Sequence, residues 1–323
     1  MLALWIVLGI ITGLTVIFFS LLLLCFVMTF YSKKRTKEFL EKYKMPPGKI
    51  YLKYKDNLIS TMKTVRAMPC EKFQIKSFDN LTLCGRYYET KKGAPIELMI
   101  HGYRGNSETD LSAGVLRAME LGHNVLLVDN RASGYSDGHV ITFGVNESKD
   151  CLAWVDFIIH KFGKDIKILL TGISMGASTV MIAAGNENLP SNVIGVVADC
   201  GYTSGEEIIK KVIRKMHLPV KLFYPLIYLS ARIFGRFNLN DASAINAMRN
   251  CKIPIVFFHT EKDAFVPAQM SRENYEACTS TKKYLSISPE GEHGMCYILN
   301  KNEYLKSLKK LRQACGLTTN AKE

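Results

Sequence analysis

No charged side chain occurs in the first 32 residues of this 323-residue chain. The nine cysteines are scattered, odd in number and never spaced as C-x-x-C. That pattern gives no ground for a disulfide framework or a zinc site, and it suits a reducing compartment. No P-loop, G-x-G-x-x-G, H-E-x-x-H or EF-hand pattern is present, so neither a metal nor an organic cofactor is expected. Internal repeats and low-complexity tracts are also absent. Negative charge is the scarcer sign, with 29 Asp and Glu against 42 Lys and Arg.

What is present begins with a long apolar run, "LALWIVLGIITGLTVIFFSLLLLCFVMTF", from Leu2 to Phe30. About 20 residues cross a hydrocarbon core of about 30 Å, so the run can span a membrane with tilt to spare. A cleaved signal peptide is the alternative. It needs a basic leader, a shorter apolar core and a small-x-small cleavage site, and none is visible. Residues 1–31 therefore read as a retained transmembrane anchor. Immediately after it, residues 32–66 hold eleven Lys or Arg against three Asp or Glu, net +8 of the chain's +13. By the positive-inside rule the side bearing Lys33, Lys34 and Arg35 is cytoplasmic. The expectation is a single-pass cell-membrane protein with its large C-terminal part in the cytosol. The basic stretch either rests on anionic headgroups or is a solvated linker. It hugs the membrane and has no base-reading motif beside it, so no nucleic-acid partner is expected.

Residues 32–68 read as a basic helical connector broken at Met45-Pro46-Pro47-Gly48. From about residue 69 to 323 the pattern is that of one α/β domain. A hairpin surrounds Asp79-Asn80. Apolar runs of the buried-strand kind follow at 95–101, 124–131, 166–174, 192–199, 253–260 and 282–288. Helix-length stretches near 108–121, 146–162, 175–188, 267–279 and 295–313 lie between or after them. Strands apolar on both faces and separated by helices predict a mostly parallel sheet of eight strands, covered on both sides, with the hairpin at one edge. About fifty residues separate the strands at 192–199 and 253–260. This insertion, about 203–245, includes the apolar "MHLPVKLFYPLIYLSARIFG" and reads either as a helical cap over a ligand site or as an ordinary core helix pair.

The stretch "TGISMGAS" places Ser174 between Gly172 and Gly176. The bare G-x-S-x-G pattern arises by chance in about one 300-residue chain in ten, so its context decides. Here a strand, "KILLTGI", precedes Ser174 and a helix, "MGASTVMIAA", follows it. That is the setting of a nucleophile elbow. Gly172 and Gly176 are small because a sharp turn brings backbone close to backbone. A serine hydroxyl needs a base, and in this architecture the partners follow in the order Ser, acid, His. Asp263, just past a strand end in "HTEKDAFVP", and His293, in the loop after the last strand, supply that order. Glu261 and Glu292 are neighbouring acids without the right placement. His259 precedes Asp263 and so falls in the wrong order. Asp199, also at a strand end, is the alternative acid. The oxyanion hole needs two backbone donors. Met175 N–H is one; "HGYRGN", with His101 and Gly102 shaping the turn, offers Tyr103 N–H as the other, unless the segment is a plain glycine turn.

The segments "HGYRGN", "DNRASGYSDG", "GISMGA", "ADCGYTS", "HTEKDAFVP" and "EGEHG" occur in the order found in the α/β-hydrolase superfamily, over roughly residues 71 to 315. The chain resembles its membrane-anchored, prolyl-oligopeptidase-like esterase branch. It departs from that branch at Thr260 and Ala132, where glycine is usual; the first departure is expected to shift the Asp263 loop slightly. The resemblance implies a serine hydrolase of esters and sometimes amides; the reading adopted is hydrolysis of carboxylic esters through an acyl-enzyme, with lipid-derived esters suggested by the apolar insertion and the anchor. A thioesterase, a peptidase and a non-catalytic binding protein of the same fold are the alternatives. Nothing in the sequence fixes the oligomeric state.

Overall fold

The computed structural model describes residues 1–43, 45 and 49–317. Its N-terminal helix α1 (Leu2–Thr29) is followed by a short α2 (Lys37–Glu41), a 3-10 turn over Lys49–Tyr54 and α3 (Lys55–Ala67). The break expected at Met45-Pro46-Pro47-Gly48 lies, for its last three residues, outside the described ones. Strands β1 (Glu71–Lys76), β2 (Thr82–Tyr88) and β3 (Ile96–Ile100) come next, then α4 (Ser107–Glu120), β4 (Asn124–Val128), α5 (Val145–Phe162), β5 (Ile168–Ile173), α6 (Met175–Ala184) and β6 (Val193–Asp199). An insertion carries α7 (Gly205–Lys215), α8 (Val220–Ser230) and α9 (Ala244–Met248). The chain then closes with β7 (Ile255–Thr260), α10 (Ala268–Ala277), β8 (Lys283–Ser288), α11 (Cys296–Leu299) and α12 (Lys301–Ala314).

The eight strands form one sheet in the order β1-β2-β4-β3-β5-β6-β7-β8. Only the β1–β2 and β2–β4 pairs are antiparallel; the hairpin thus forms one edge of an otherwise parallel sheet. Every residue of β3, β4 and β7 is buried, the mark of strands covered on both faces. One face packs under Trp154, Val155 and Ile158 of α5 and Val180 of α6. The other packs under Leu111 and Val115 of α4 and, farther along the sheet, Leu308 and Leu311 of α12.

Helix α1 divides in two. Residues 1–20 are exposed throughout, whereas Leu22, Cys25 and Phe26 are buried against the domain. At about 1.5 Å per residue the exposed stretch is close to the roughly 30 Å of a bilayer's hydrocarbon core. By length and apolarity α1 can cross a membrane. Its lower end sits in an aromatic nest: Phe30 lies 5.8 Å from Phe143 and 5.3 Å from Phe237, centroid to centroid, and Phe26 lies 5.7 Å from Phe234.

The insertion is pinched at its base by a bridge between Ser204 and Ser243. Its α8 packs along the end of α1, and Ile227 and Ala231 join the same cluster as Phe30. The connector is no solvated linker over its second half. Val65 of α3 is fully buried against α4 and the sheet, and Glu108 of α4 pairs with both Arg66 and Arg86.

Candidate active site

Four loops converge at the C-terminal ends of β3, β5, β7 and β8, where open α/β sheets place their ligands. They carry Tyr103, Ser174, Asp263 and His293. Ser174 joins β5 to α6 with φ 56° and ψ −120°, a conformation rare for a residue with a side chain. The turn is tight enough that a Cβ on Gly172 would overlap the Gly176 carbonyl, and one on Gly176 would overlap the Ile100 carbonyl. Both glycines are therefore required by close backbone approach. Ser174 N–H donates to the Asp199 carbonyl at 2.8 Å, which fixes the turn to β6.

His293 Nε2 lies 2.9 Å from Ser174 Oγ, and His293 Nδ1 lies 2.7 Å from Asp263 Oδ2. The Asp263 carboxylate is well supplied with donors. Its Oδ1 accepts from Phe265 N–H and Val266 N–H, each at 2.8 Å. Its Oδ2 also faces His259 Nε2 at 3.2 Å. Burial would raise this carboxyl's pKa, but the hydrogen bonds from His259 and His293 outweigh it and hold Asp263 well below the usual carboxylate range. An ionised Asp263 fixes the imidazole of His293 with its proton on Nδ1. Nε2 is then left as an acceptor facing the serine hydroxyl.

The alternative acid is differently placed. Asp199 is buried, its Oδ1 has no partner among the described residues, and burial pushes it up to about 6. Glu261 is drawn outward to Arg272, and Glu292 lines the cavity without meeting His293 Nδ1. Thr260, where glycine was expected, donates its hydroxyl to the Glu292 carbonyl at 3.2 Å. The departure thus ties the loop of Asp263 to the loop of His293. Ala132 adopts φ 60°, the left-handed conformation that the usual glycine would take without strain.

In the loop after β3, His101 donates from Nδ1 to the Gly102 carbonyl at 2.8 Å and accepts Asn130 N–H at Nε2 at 3.0 Å. Gly102 N–H donates to Asp110 at 3.0 Å, and a Cβ on Gly102 would lie 3.4 Å from Ser174 Cβ. Asn106 caps α4 by accepting Thr109 N–H, which ends the loop. Tyr103 N–H has no partner among the described residues. Met175 opens α6, so its N–H has no partner within the helix and lies at the helix's positive end.

Gly102, Tyr103, Ser174 and His293 border a cavity of about 720 Å³, within the usual range for small-molecule sites. Its far wall comes from the connector: Arg35, Phe39, Met45, Tyr51, Leu58 and Met62. The insertion contributes Lys215 to the lining and reaches the acid's loop through Lys211, whose ammonium donates to the Ala264 and Phe265 carbonyls at 2.8 and 2.6 Å. Four supporting residues escaped the sequence reading. His259 braces Asp263, and its place four residues earlier at the strand end was the available signal. Tyr51 donates its hydroxyl to the His293 carbonyl at 2.8 Å, and Asp110 and Arg104 hold the Gly102–Gly105 loop. For these three no sequence pattern pointed inward. Cys200 Sγ, Asp263 and His293 also bring ligand-type atoms within 4.8 Å of one another, but their spacing is accounted for by the hydrogen bonds above.

A family model described as alpha/beta hydrolase fold matches residues 98–224. The Bacillus subtilis protein YqkD is 27% identical over 191 residues, 59% of this chain; the match spans 62% of that relative's length. Protein bem46 of Schizosaccharomyces pombe is 24% identical over 232 residues, 70% of this chain and 71% of its own length. Among solved structures, the Pyrococcus furiosus esterase Pf2001 is similar with a TM-score of 0.61 and 21% identity, over 84% of this chain and 97% of that one. What the solved neighbour shares with this chain is its fold.

Proposed function

We propose, from the premise of an α/β-hydrolase fold with an esterase among its structural neighbours, that this chain is a membrane-anchored serine hydrolase of carboxylic esters. The observation that carries the reading is the hydrogen-bonded line Asp263–His293–Ser174, with contacts of 2.7 and 2.9 Å, at the edge of the cavity. In this reading His293 Nε2 takes the Ser174 proton as Oγ attacks the ester carbonyl carbon. The oxyanion that forms is met by the Tyr103 and Met175 N–H groups. The tetrahedral species collapses, the C–O bond breaks, and His293 returns the proton to the departing alcohol. Water then repeats the sequence on the acyl-enzyme and frees Ser174. Asp263 stays ionised and stabilises the imidazolium in both halves.

The substrate class follows from the walls. Phe39, Met45, Leu58 and Met62 offer an apolar surface to an acyl chain. The loop of Tyr103 and Arg104, also in the lining, touches the end of α1. That arrangement favours esters drawn from the membrane interface, with the catalytic domain on the cytoplasmic side as the basic residues after α1 suggest.

The test is a chain-length series of p-nitrophenyl esters with the full-length protein in detergent. Turnover is expected to rise from acetyl to medium-chain esters and to vanish in Ser174→Ala. Turnover that survives Ser174→Ala would remove the proposed nucleophile. A profile that only falls with chain length would remove the apolar acyl site.

A further inference from the structure

A helix leaves its last carbonyls without partners inside the helix, and α1 is no exception. The Phe26 carbonyl accepts the N–H groups of Phe30 and Tyr31, at 2.8 and 3.2 Å. The next three carbonyls are taken up by two consecutive residues of the candidate oxyanion loop. Arg104 Nη2 donates to Val27 O at 3.3 Å and Met28 O at 2.9 Å, and also to Tyr31 O at 3.0 Å. Tyr103 Oη donates to Thr29 O at 2.8 Å. A guanidinium at the negative end of a helix is also favoured by the helix dipole.

The same residues are pinned from other sides. Arg104 holds a left-handed backbone, φ 53°, and its carbonyl accepts from Arg35 at 3.0 Å. The Tyr103 ring lies 5.2 Å from that of Phe143, which itself packs on Phe30. Asp110 holds the preceding residue, Gly102, by its N–H. The peptide that presents Tyr103 N–H is therefore stretched between the sheet on one side and the end of α1 on the other.

We infer that Arg104, with the Tyr103 hydroxyl, is a positioning clasp: the end of the apolar helix holds the oxyanion loop in its working geometry. Resting on the reading of Ser174 as nucleophile, the inference makes α1 a structural part of the active site as well as a tether. Arg104 acts through the Tyr103 peptide and touches no reacting atom. Its loss loosens a donor that matters in the transition state more than in substrate binding, so kcat falls and KM does not.

The experiment uses full-length protein in detergent micelles with a short p-nitrophenyl ester, too small to reach the connector wall. Arg104→Ala is expected to lower kcat about tenfold, less than the 10²–10³ of a deleted oxyanion donor, with KM little changed. Arg104→Lys, which keeps a cationic donor, recovers part of the loss. Tyr103→Phe, which keeps the ring and removes only the bond to Thr29, lowers kcat in the same direction. Wild-type kcat in Arg104→Ala would overturn the clasp. So would a loss of kcat, KM and thermal stability together that Lys does not rescue, because that is general destabilisation. A wild-type protein without any turnover would instead overturn the hydrolase reading and the clasp with it.

Discussion

At the scale of single residues, two buried carboxylates compete for the role of acid, and their environments separate them. Asp263 has four donors around it and is held ionised; Asp199 keeps one oxygen without a partner among the described residues and is pushed up to about 6. Asp263→Asn is expected to lower kcat by about 10⁴, the effect of misdirecting the imidazole tautomer, while Asp199→Asn costs less than about tenfold. Stability should move the opposite way. Between about 4 and 6, folded Asp199 keeps a proton that the unfolded chain has lost, so its contribution falls as pH rises through that window. Removing the charge should stabilise the protein above pH 7 by up to about 3 kcal/mol, and by little near pH 4. Thermal melts of Asp199→Asn across that range check the sign; a gain that is largest in acid contradicts it. The places of Ser174, Asp263 and His293 were legible in the sequence because Ser174 ends an apolar strand run between two glycines and the other two follow such a run by three and five residues. Arg104 was not, and of His259 only its place at the strand end was. Their partners are a carboxylate edge and backbone carbonyls, which leave no periodic trace.

At the scale of elements, the parallel strands announced themselves as runs apolar on both faces, and the hairpin by its alternation and Asp79-Asn80. The connector was harder to read. Its inward residues, Tyr51, Leu58 and Met62, are thinly spread among cations, so charge dominated the pattern and the docking of α3 was hidden. The insertion reaches the site edge through Lys211 and Lys215, and its α8 builds the nest around Phe30. The consequence for chemistry lies in the loop of His293, which two foreign elements hold. Tyr51 binds the His293 carbonyl and Thr260 the carbonyl before it. Tyr51→Phe and Thr260→Val each remove one hydrogen bond of about 1 kcal/mol, equivalent to about fivefold. Steady-state kinetics should show losses of that order in kcat for each, and a larger one for the pair. Unchanged kcat in both variants would mean that the loop is held by its own turns.

At the scale of the whole molecule, the end of the apolar helix, the connector and the sheet pack into one body. The exposed part of α1 has about the length of a bilayer's apolar core, its buried end is held by Tyr103 and Arg104, and the connector returns across the cavity to the sheet. In the proposed reading, the wall that would take an acyl chain is the segment that leaves the apolar helix. The most direct measurement is fluorophosphonate labelling of salt-washed membranes carrying the full-length protein, with the modified residue located by peptide mass spectrometry. The account predicts a single adduct on Ser174 in the membrane pellet, absent in Ser174→Ala and suppressed in His293→Ala. Labelling at another residue, or none in membranes that retain the folded wild-type chain, would contradict it.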